Sequence, residues 1–448
     1  MQRIKIIGAG LAGCEAAWQC ARRGLQVRLY EMRPVKATPA HHTGKFAELV
    51  CSNSLKSESE DTAPWLLKEE MRRAGSLLLE IARKTQVPAG HALAVDREAF
   101  ADKVTEALEA EHRIEIVREE VTRIDETDGD QITIVATGPL TSDGLSGEIA
   151  RLSGSDHLYF YDSISPIVDA DSIDMSRVYF AARYGKGSPD YINCPLNKEE
   201  YDRLCDALAV AQPVEGHDWE NLNYFEGCLP IEEIARRGRD TLRFGPMKPV
   251  GLDDPKTGRR PYAVVQLRSE NLRADSYNLV GFQNHLKYDE QARILRLIPG
   301  LENAKFLRYG QIHRNTYINA PSLLMETLNM KQHPNVFFAG QISGVEGYTE
   351  SIAMGMLTGI HVARIVLRLP AIPPPRETAL GSLVHYICHA ESKNFQPANT
   401  TFDLLPQLDE ATRKRIRDKK QRHKLVCENA LTTCAKWLEE VAIDVPVP

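Results

Sequence analysis

The first 31 residues carry the pattern that most constrains the fold of this chain. An apolar segment at 3–7 leads into a glycine-rich turn, and a helical pattern and a second apolar segment at 25–30 follow, ending at the acidic Glu31. The turn consists of Gly8, Ala9, Gly10, Leu11, Ala12 and Gly13. This order of strand, G-x-G-x-x-G, helix, strand and acid predicts a Rossmann-type unit, in which the helix N-terminus binds a dinucleotide pyrophosphate and Glu31 binds a ribose hydroxyl.

Two later segments favour FAD over NAD as the dinucleotide. One strand pattern ends in an Ala-Thr-Gly turn at Gly138, and another stops at Gly340 before a loop that contains Glu346 and Gly347. A helical pattern rich in small residues follows that loop. Because a helix N-terminus stabilises negative charge on a reduced flavin ring, we expect both ends of the chain to build one FAD site.

If both ends form one cofactor domain, the middle of the chain is an insertion. The 448 residues allow two or three domains, and mixed strand and helix patterns occur between 178 and 330. The predicted fold class is therefore α/β, with a Rossmann-like, glutathione-reductase-like FAD-binding domain interrupted by an α+β insertion. The expected parts are 1–177, 178–330 and 331–448, the last with a C-terminal helical tail.

The composition excludes several classes of protein. A formal net charge of −6 argues against binding of nucleic acid by bulk positive charge. No apolar run approaches the ~20 residues that a membrane-spanning helix needs, so no membrane association is expected. The nine cysteines form no Cys-x-x-Cys pair, so neither a zinc ribbon nor another metal site is predicted. Without a secretory signal pattern at the N-terminus, these features favour the cytoplasm.

Two of the cysteines stand in contexts that favour reactivity. Cys228 precedes Pro230 and a short helical pattern that ends near Gly238, which would place the thiol at a helix N-terminus. Cys51 is followed by Ser-Asn-Ser, a sequence that favours a turn over a core strand. The other seven cysteines are expected to be packing residues, since most cysteines in proteins are buried.

Several longer blocks of the sequence resemble one known family. They lie at 46–55, 223–232, 244–252, 280–283, 313–316 and 340–348. Together they look like the TrmFO family, the bacterial folate- and FAD-dependent tRNA (uracil-54-C5)-methyltransferases, from residue 3 to about residue 401. The related MnmG (GidA) family has a longer chain with an extra C-terminal helical domain, for which this sequence leaves no room.

The resemblance implies a reaction. A methylene group would pass from 5,10-methylenetetrahydrofolate to N5 of FAD and then to C5 of uridine 54 in the tRNA T-loop. FADH2 would reduce it, tetrahydrofolate would leave, and NAD(P)H would restore the flavin. Because uracil C5 is a poor nucleophile, a thiolate that adds to C6 divides one hard step into two easier ones, and Cys228 is the candidate. Cys51, beside the flavin, would take a proton from C5 or hold the methylene as a protective adduct.

Two further residues are candidates for the folate site. Trp219 lies in a polar segment nine residues before Cys228 and would offer a flat surface on which the pterin stacks, with simple packing as the alternative. His285 follows Gly-Phe-Gln-Asn and would hydrogen-bond the pterin. A purely structural histidine is an equally good interpretation of that position.

Two basic clusters are candidates for tRNA binding. Arg236 and Arg237 follow Cys228 closely, and the run 413–424 lies in a segment, 408–443, that reads as one long helix. The residues of this run that we expect to contact phosphates are Arg413, Lys414, Arg415, Lys419 and Lys420. A solvated helix face is the alternative. Either cluster would act together with base flipping, since a uridine inside a folded T-loop must be extruded to reach a thiolate.

Other functions stay open from the sequence alone. The same chemistry could act on large-subunit ribosomal RNA, and an MnmG-like enzyme would modify the tRNA wobble uridine instead. A flavin oxidoreductase for a small molecule and a non-catalytic RNA-binding protein are rivals from other classes. No obligate protein partner is evident.

Overall fold

The computed structural model describes residues 3–38, 40–126, 129, 131–154, 158–185, 187–214 and 229–443, and every statement below concerns these residues. Their strands, in chain order, are β1 (Arg3–Ile7), β2 (Val27–Tyr30), β3 (Ser54–Ser57), β4 (Gln86–Val87), β5 (Ala92–Val95), β6 (Ile114–Val117), β7 (Gln131–Val135), β8 (Leu158–Ser163), β9 (Ile167–Asp169), β10 (Tyr179–Ala181), β11 (Tyr191–Leu196), β12 (Ala263–Ser269), β13 (Ser276–Leu279), β14 (Phe306–Arg308), β15 (Ile312–Tyr317) and β16 (Val336–Phe338). The α-helices are α1 (Leu11–Ala21), α2 (Ala63–Arg73), α3 (Leu77–Lys84), α4 (Arg97–Ala110), α5 (Asp143–Ser153), α6 (Lys198–Ala209), α7 (Ile231–Arg236), α8 (Thr241–Phe244), α9 (Tyr288–Leu295), α10 (Ala320–Leu323), α11 (Tyr348–Val366), α12 (Ala379–His389), α13 (Glu410–Arg415) and α14 (Lys419–Val441). Within the described residues, no helix combines the length and the apolarity that crossing a bilayer requires.

A five-stranded parallel sheet joins the two ends of the chain. Its order is β16-β7-β1-β2-β6, and each neighbouring pair is parallel. Every residue of β16, and every residue of β7 after Gln131, is buried, as is typical of parallel strands that are covered on both faces. The predicted α/β, Rossmann-like fold class is confirmed by this topology.

Helices α1 and α11 pack against each other closely enough to require glycine. A Cβ on Gly355 would lie 2.2 Å from the carbonyl oxygen of Ala12, and a Cβ on Gly359 would lie 2.8 Å from that of Ala16. The small residues noted in the sequence of α11 therefore allow the backbones of the two helices to approach. This contact fixes the C-terminal glycine loop, which precedes α11, beside the N-terminal one, which precedes α1.

The middle of the chain forms a second unit with its own core. Its six-stranded sheet has the order β10-β11-β12-β13-β9-β14, with antiparallel neighbours, and α6 and α9 pack on it around a separate apolar cluster. The division at 178 and 330 remains a prediction. Because β9 pairs with β13, and because β8 and β15 pair with each other between the two units, we propose limits nearer 164 and 311.

The prediction of one long helix over 408–443 is wrong. Two helices, α13 and α14, are separated by Ile416–Asp418. The backbone of Ile416 is extended, and the Asp418 carboxylate accepts a 2.8 Å hydrogen bond from the amide of Gln421, which caps a new helix. The basic run 413–424 is therefore divided between two helices. Helix α12, which follows the proline-rich segment 369–375, was not predicted from the sequence either.

Candidate active site

A continuous cleft runs along the carboxyl ends of the parallel strands, where ligands of doubly wound sheets bind. It has two lobes, which share Gly10, Ala136 and Leu140 in their walls. The first lobe, beside Glu31, has an empty volume of about 550 Å³, and the second, beside Cys51, about 1430 Å³, both including the open mouth. The cleft thus suits an elongated ligand that spans both lobes.

The N-terminal glycine loop forms the middle of this cleft. A Cβ on Gly10 would meet nothing within 4 Å, so the backbone there is open to the cleft, and the first-turn amides of α1 have no acceptor within the helix. Gly13 plays a different part, because a Cβ there would lie 1.8 Å from the carbonyl oxygen of Gly8. Gly10 therefore leaves room for a ligand, whereas Gly13 allows α1 to pack against β1.

Glu31 lies buried at the end of β2, in the wall of the first lobe. Its Oε2 accepts a 3.1 Å hydrogen bond from the amide of Ala9, and its Oε1 lies 2.9 Å from Nε of Arg33. Burial raises the pKa of Glu31, but the hydrogen bonds and charge of Arg33 outweigh it and hold the pKa below its ordinary value. Arg33 also bonds Glu48 at 3.0 Å. The carboxylate is therefore ionised and fixed before any ligand binds.

The turn at residues 51–54, which we call the Cys51 turn, forms one wall of the second lobe. The half-buried Cys51 and its neighbour Ser52 each donate a backbone hydrogen bond to the hydroxyl of Tyr348, at 2.8 and 3.2 Å. Burial, followed by the proximity of Cys51, raises the pKa of Tyr348 well above its ordinary value, so the hydroxyl stays protonated. Because Tyr348 begins α11, this turn is fixed to the N-terminus of that helix.

A group of arginines surrounds the Cys51 turn. Arg97 and Arg308 donate to the carbonyl of Cys51 at 3.1 and 3.5 Å, and Arg268 donates to Oγ of Ser52 at 2.9 Å. Burial, followed by the charge of Arg97, lowers the pKa of Arg308 to about 10, so it remains a cation at neutral pH.

One buried carboxylate partly balances these arginines. Glu270 bonds Nη2 of Arg97 at 3.2 Å and also accepts from Asn278. Burial raises the pKa of Glu270, but the charge of Arg97 outweighs it and holds the pKa below its ordinary value. Three guanidinium groups against one carboxylate leave a net positive environment at the turn, which favours a negatively charged sulfur or ligand there.

The C-terminal loop, 340–347, contributes another part of the wall of the second lobe. Gly347 has φ +111°, and a Cβ there would lie 2.4 Å from Oε2 of Glu350 and 2.7 Å from Nζ of Lys56. Lys56 pairs with the buried Glu350 at 2.6 Å, which ties β3 to the first turn of α11. Gln341 donates to the Glu346 carboxylate at 2.7 Å. Glycine at 347 therefore leaves room for the Lys56–Glu350 ion pair, of which only the glutamate is fully buried.

The cleft brings together most of the residues that the glycine motifs indicated. Those in its walls are Gly8, Gly10, Leu11, Ala12, Glu31, Cys51, Gly138, Gly340, Glu346 and Gly347. Ala9 and Gly13 belong to the same glycine loop but are buried and do not line the cleft. Cys228 and Trp219 lie outside the described residues, although α7 begins at Ile231, directly after Pro230, near the expected helix start. The functional roles of all these residues stay predictions.

His285 is buried rather than exposed to the cleft. Its side chain is 4% exposed, and its Nδ1 lies 2.7 Å from a carboxylate oxygen of Glu232. The same carboxylate oxygen accepts the backbone amide of His285 at 3.0 Å. His285 therefore lies inside the insert, with its Nδ1 directed at Glu232.

Both basic clusters are exposed, but they differ in the bonds that they make. Arg236 bonds the carbonyls of Ala209 and Ala211 at 3.3 and 3.1 Å, so it also closes the end of α6, and Arg237 follows it at the end of α7. The C-terminal residues named above are all exposed, namely Arg413, Lys414, Arg415, Lys419 and Lys420. Of these, Lys414 pairs with the exposed Glu410 at 2.7 Å.

Two sets of residues at the site were not predicted from the sequence. Arg33 pairs with Glu31 in the first lobe. The residues that bond the Cys51 turn are Arg97, Arg268, Arg308 and Tyr348. Tyr348 ends one of the resembling blocks, which was the available signal for it. Arg97, Arg268 and Arg308 carry no such signal, because they come from α4, β12 and β14, which meet only in the folded chain.

Comparisons with known proteins agree with this geometry. The family profile described as Glucose inhibited division protein A matches residues 3–370. The methylenetetrahydrofolate--tRNA-(uracil-5-)-methyltransferase TrmFO of Koribacter versatilis is 77% identical over 436 residues, covering 97% of this chain and 98% of that protein. The protein of the same name from Solibacter usitatus is 66% identical over 439 residues, covering 97% and 98%. Among solved structures, GidA of Aquifex aeolicus has a TM-score of 0.72 at 17% identity, covering 98% of this chain and 73% of that one, a likeness of fold alone.

Proposed function

This chain belongs to the glucose-inhibited division protein A family and to the TrmFO proteins within it, and from that premise we propose that it methylates C5 of uridine 54 in the tRNA T-loop with 5,10-methylenetetrahydrofolate as carbon donor. One observation carries the proposal. The glycine loops from both ends of the chain and the Cys51 turn line a single cleft. A cleft that served only to hold a cofactor would not need a half-buried thiol in a positive environment.

The residues of the cleft fit FAD. The ionised Glu31 would bind a ribose hydroxyl, and the open backbone at Gly10 with the first turn of α1 would bind the pyrophosphate. The loop from Gly340 to Gly347 would hold the ring, with the N-terminus of α11 favouring negative charge on it. When bound, FAD would supply the electrons that convert the transferred methylene into a methyl group.

The Cys51 turn supplies the protein's part in the chemistry near the flavin. Methyl transfer requires a new carbon–carbon bond at C5 of uracil, loss of the proton from C5, and two electrons and one proton to complete the methyl group. A thiolate of Cys51 could accept the C5 proton, and Arg97 and Arg308 would favour that thiolate over the thiol. A protective adduct of the methylene on Cys51 remains the alternative role.

Several parts of the proposal rest on the sequence and on the family. Cys228 would add to C6 of the uracil and leave again after transfer, so that its thiolate is regenerated. Trp219 would stack on the pterin, and His285 would hydrogen-bond it. Tetrahydrofolate would leave as product, NAD(P)H would restore the reduced flavin, and the reaction would take place in the cytoplasm.

The net charge of the protein is negative, so the tRNA would bind at local clusters of exposed basic residues. The exposed cations on α13 and α14 are the first candidates for phosphate contacts, and Arg236 and Arg237 are the second. Because Arg236 also bonds carbonyls at the end of α6, its substitution would disturb the local fold. The C-terminal cluster is therefore the cleaner one to test.

The experiment is a comparison of RNA substrates under identical conditions. Unmodified tRNA, its U54C and U34C variants, and a large-subunit rRNA transcript are each incubated with the FAD-loaded protein, labelled methylenetetrahydrofolate and NADH. We expect label in the parent tRNA and in the U34C variant, and none in the U54C variant or in rRNA. Label that disappears with U34C, or that appears in rRNA, would replace this target by the wobble uridine or by ribosomal RNA.

A further inference from the structure

Three side chains that commonly bind metals meet outside the cleft. His385 and His389 stand four residues apart on α12, so they share one face of that helix. Glu326, in the turn 324–330 between α10 and β16, faces them: its Oε1 lies 3.7 Å from Nδ1 of His385 and 2.9 Å from Nε2 of His389. One ligand atom of each residue lies within 4.8 Å of the other two. None of the three lines either lobe of the cleft.

The spacing suits a small divalent ion of the first transition row. Zinc binds imidazole nitrogen and carboxylate oxygen at roughly 2.0–2.2 Å, so ligand atoms of a tetrahedral site stand roughly 3.4 Å apart. The two distances from the Glu326 oxygen lie on either side of that value, and the two imidazole rings are 4.6 Å apart between centroids. Small rotations of exposed side chains are enough to close the site. Two imidazoles and one carboxylate suit zinc better than magnesium or calcium.

The turn that carries Glu326 is held in place from two sides. Cys388, between the two histidines on α12, is buried and donates its thiol hydrogen to the carbonyl of Met325 at 3.4 Å. On the other side, Nδ1 of the buried His361 of α11 lies 3.1 Å from the carbonyl of Thr327. The carboxylate of Glu326 therefore stands over the histidine pair before an ion arrives, which lowers the entropic cost of binding.

Both histidines are accessible from solvent. Their side chains are 44% and 52% exposed, so a hydrated ion can reach both.

We propose that Glu326, His385 and His389 form a binding site for one divalent transition-metal ion of the zinc type, with water as the fourth ligand. The ion would join the turn 324–330 to α12. That turn leads into β16, after which Gly340 begins the C-terminal loop of the cleft. Metal binding would thus stabilise the segment from the turn 324–330 to Gly340, and the ion would not contact the groups proposed to react.

The test uses the full-length FAD-loaded protein after dialysis against a chelator, titrated with zinc chloride by calorimetry. The variants are Glu326→Gln, which keeps the side-chain size, and the double variant H385A/H389A. The control is His112→Ala, because His112 is an exposed histidine beside Glu111, at 3.3 Å, without a second histidine. Thermal unfolding with and without zinc is followed on the same samples.

We expect the wild type and His112→Ala to bind one more zinc ion than H385A/H389A, and to unfold at a higher temperature when zinc is present. Glu326→Gln should bind that ion about tenfold more weakly or worse, since it loses the charged ligand. Equal zinc stoichiometry, affinity and thermal shift in all four proteins would overturn the proposal. The cluster would then be a hydrogen-bonded pair of histidines on a glutamate and nothing more.

Discussion

The backbone amide of Cys51 donates a 2.8 Å hydrogen bond to the hydroxyl of Tyr348, which stands 297 residues later in the chain. Tyr348 is the first residue of α11, and α11 packs on α1 through glycines. The candidate thiol, the C-terminal glycine loop and the N-terminal glycine loop are therefore parts of one rigid arrangement. Their mutual geometry does not depend on a ligand to assemble it.

Two glycines of the same motif should respond differently to alanine. In Gly10→Ala the methyl group meets no protein atom but intrudes on the ligand path, so we expect normal folding and FAD affinity lowered about tenfold or more. In Gly13→Ala the methyl group would lie 1.8 Å from a backbone oxygen, so stability should fall by about 3 kcal/mol or more. Flavin absorbance of the purified proteins and thermal unfolding measure the two effects.

Gly147→Ala is the matched control for that pair. Gly147 lies in α5, and a Cβ there meets nothing within 4 Å, so the variant should keep its flavin and gain about 0.5–1 kcal/mol. Full FAD affinity in Gly10→Ala would show that the pyrophosphate does not pass this glycine.

Removing the carboxylate under the Cys51 turn should destabilise the protein strongly. Glu270→Gln keeps the shape of the side chain but leaves Arg97 buried without its counter-charge, which costs about 3 kcal/mol. Urea unfolding monitored by circular dichroism gives the change in the free energy of unfolding. For comparison, Glu115→Gln breaks an exposed pair with Arg28 and should cost less than about 1 kcal/mol. Similar decreases in the free energy of unfolding for both variants would mean that the buried pair contributes no more to stability than the exposed one.

One buried histidine should make the protein sensitive to mild acid. Burial lowers the pKa of His361 to about 4, below the value of 6.5 that an exposed histidine has. Between those values the unfolded chain binds a proton that the folded protein does not, so the free energy of unfolding falls as the pH drops from 6.5 to 4. The contribution is roughly 3 kcal/mol over that window.

His361→Gln should remove this part of the pH dependence. We would measure urea unfolding at several pH values between 7 and 4 and compare the slopes of stability against pH. His112→Gln, at a side chain that is 73% exposed, is the matched substitution and should keep the slope of the wild type. An identical slope in the His361→Gln variant would contradict this account of the buried ring.

The C-terminal cations should act on RNA and not on the flavin. A Lys419→Glu, Lys420→Glu double variant should weaken tRNA binding and reduce the slope of log affinity against log salt by about 1–2. FAD content should not change. Lys84→Glu, at an exposed lysine of α3, controls for a general change in charge. A salt slope equal to that of the wild type would exclude these lysines from the RNA interface.

Local pattern predicted the parts of the site that lie close together in the chain. The βαβ unit places Gly10 and Glu31 within one crossover, so their positions follow from motif spacing. The residues around Cys51 could not be found in that way. Arg97, Glu270 and Arg308 meet only because the insert folds back onto the first part of the chain, and no short-range pattern encodes that contact. The break between α13 and α14 was missed because one capping aspartate, Asp418, outweighed a continuous helical composition.

The most direct test of the proposed methyl transfer, in which Cys51 takes part, follows the methylene carbon from the folate to the tRNA. Unmodified tRNA is incubated with NADH, the FAD-loaded protein and methylenetetrahydrofolate that carries ¹³C in its methylene group, and the uridine of the T-loop is analysed by mass spectrometry. The control is Cys427→Ala, which removes a thiol that does not line the cleft. The wild type and this control should both place a ¹³C methyl group on C5. Cys51→Ala should retain FAD but transfer the label about 100-fold more slowly or worse. Transfer by Cys51→Ala at the rate of the wild type, or no label in the RNA with any of the three proteins, would contradict the account.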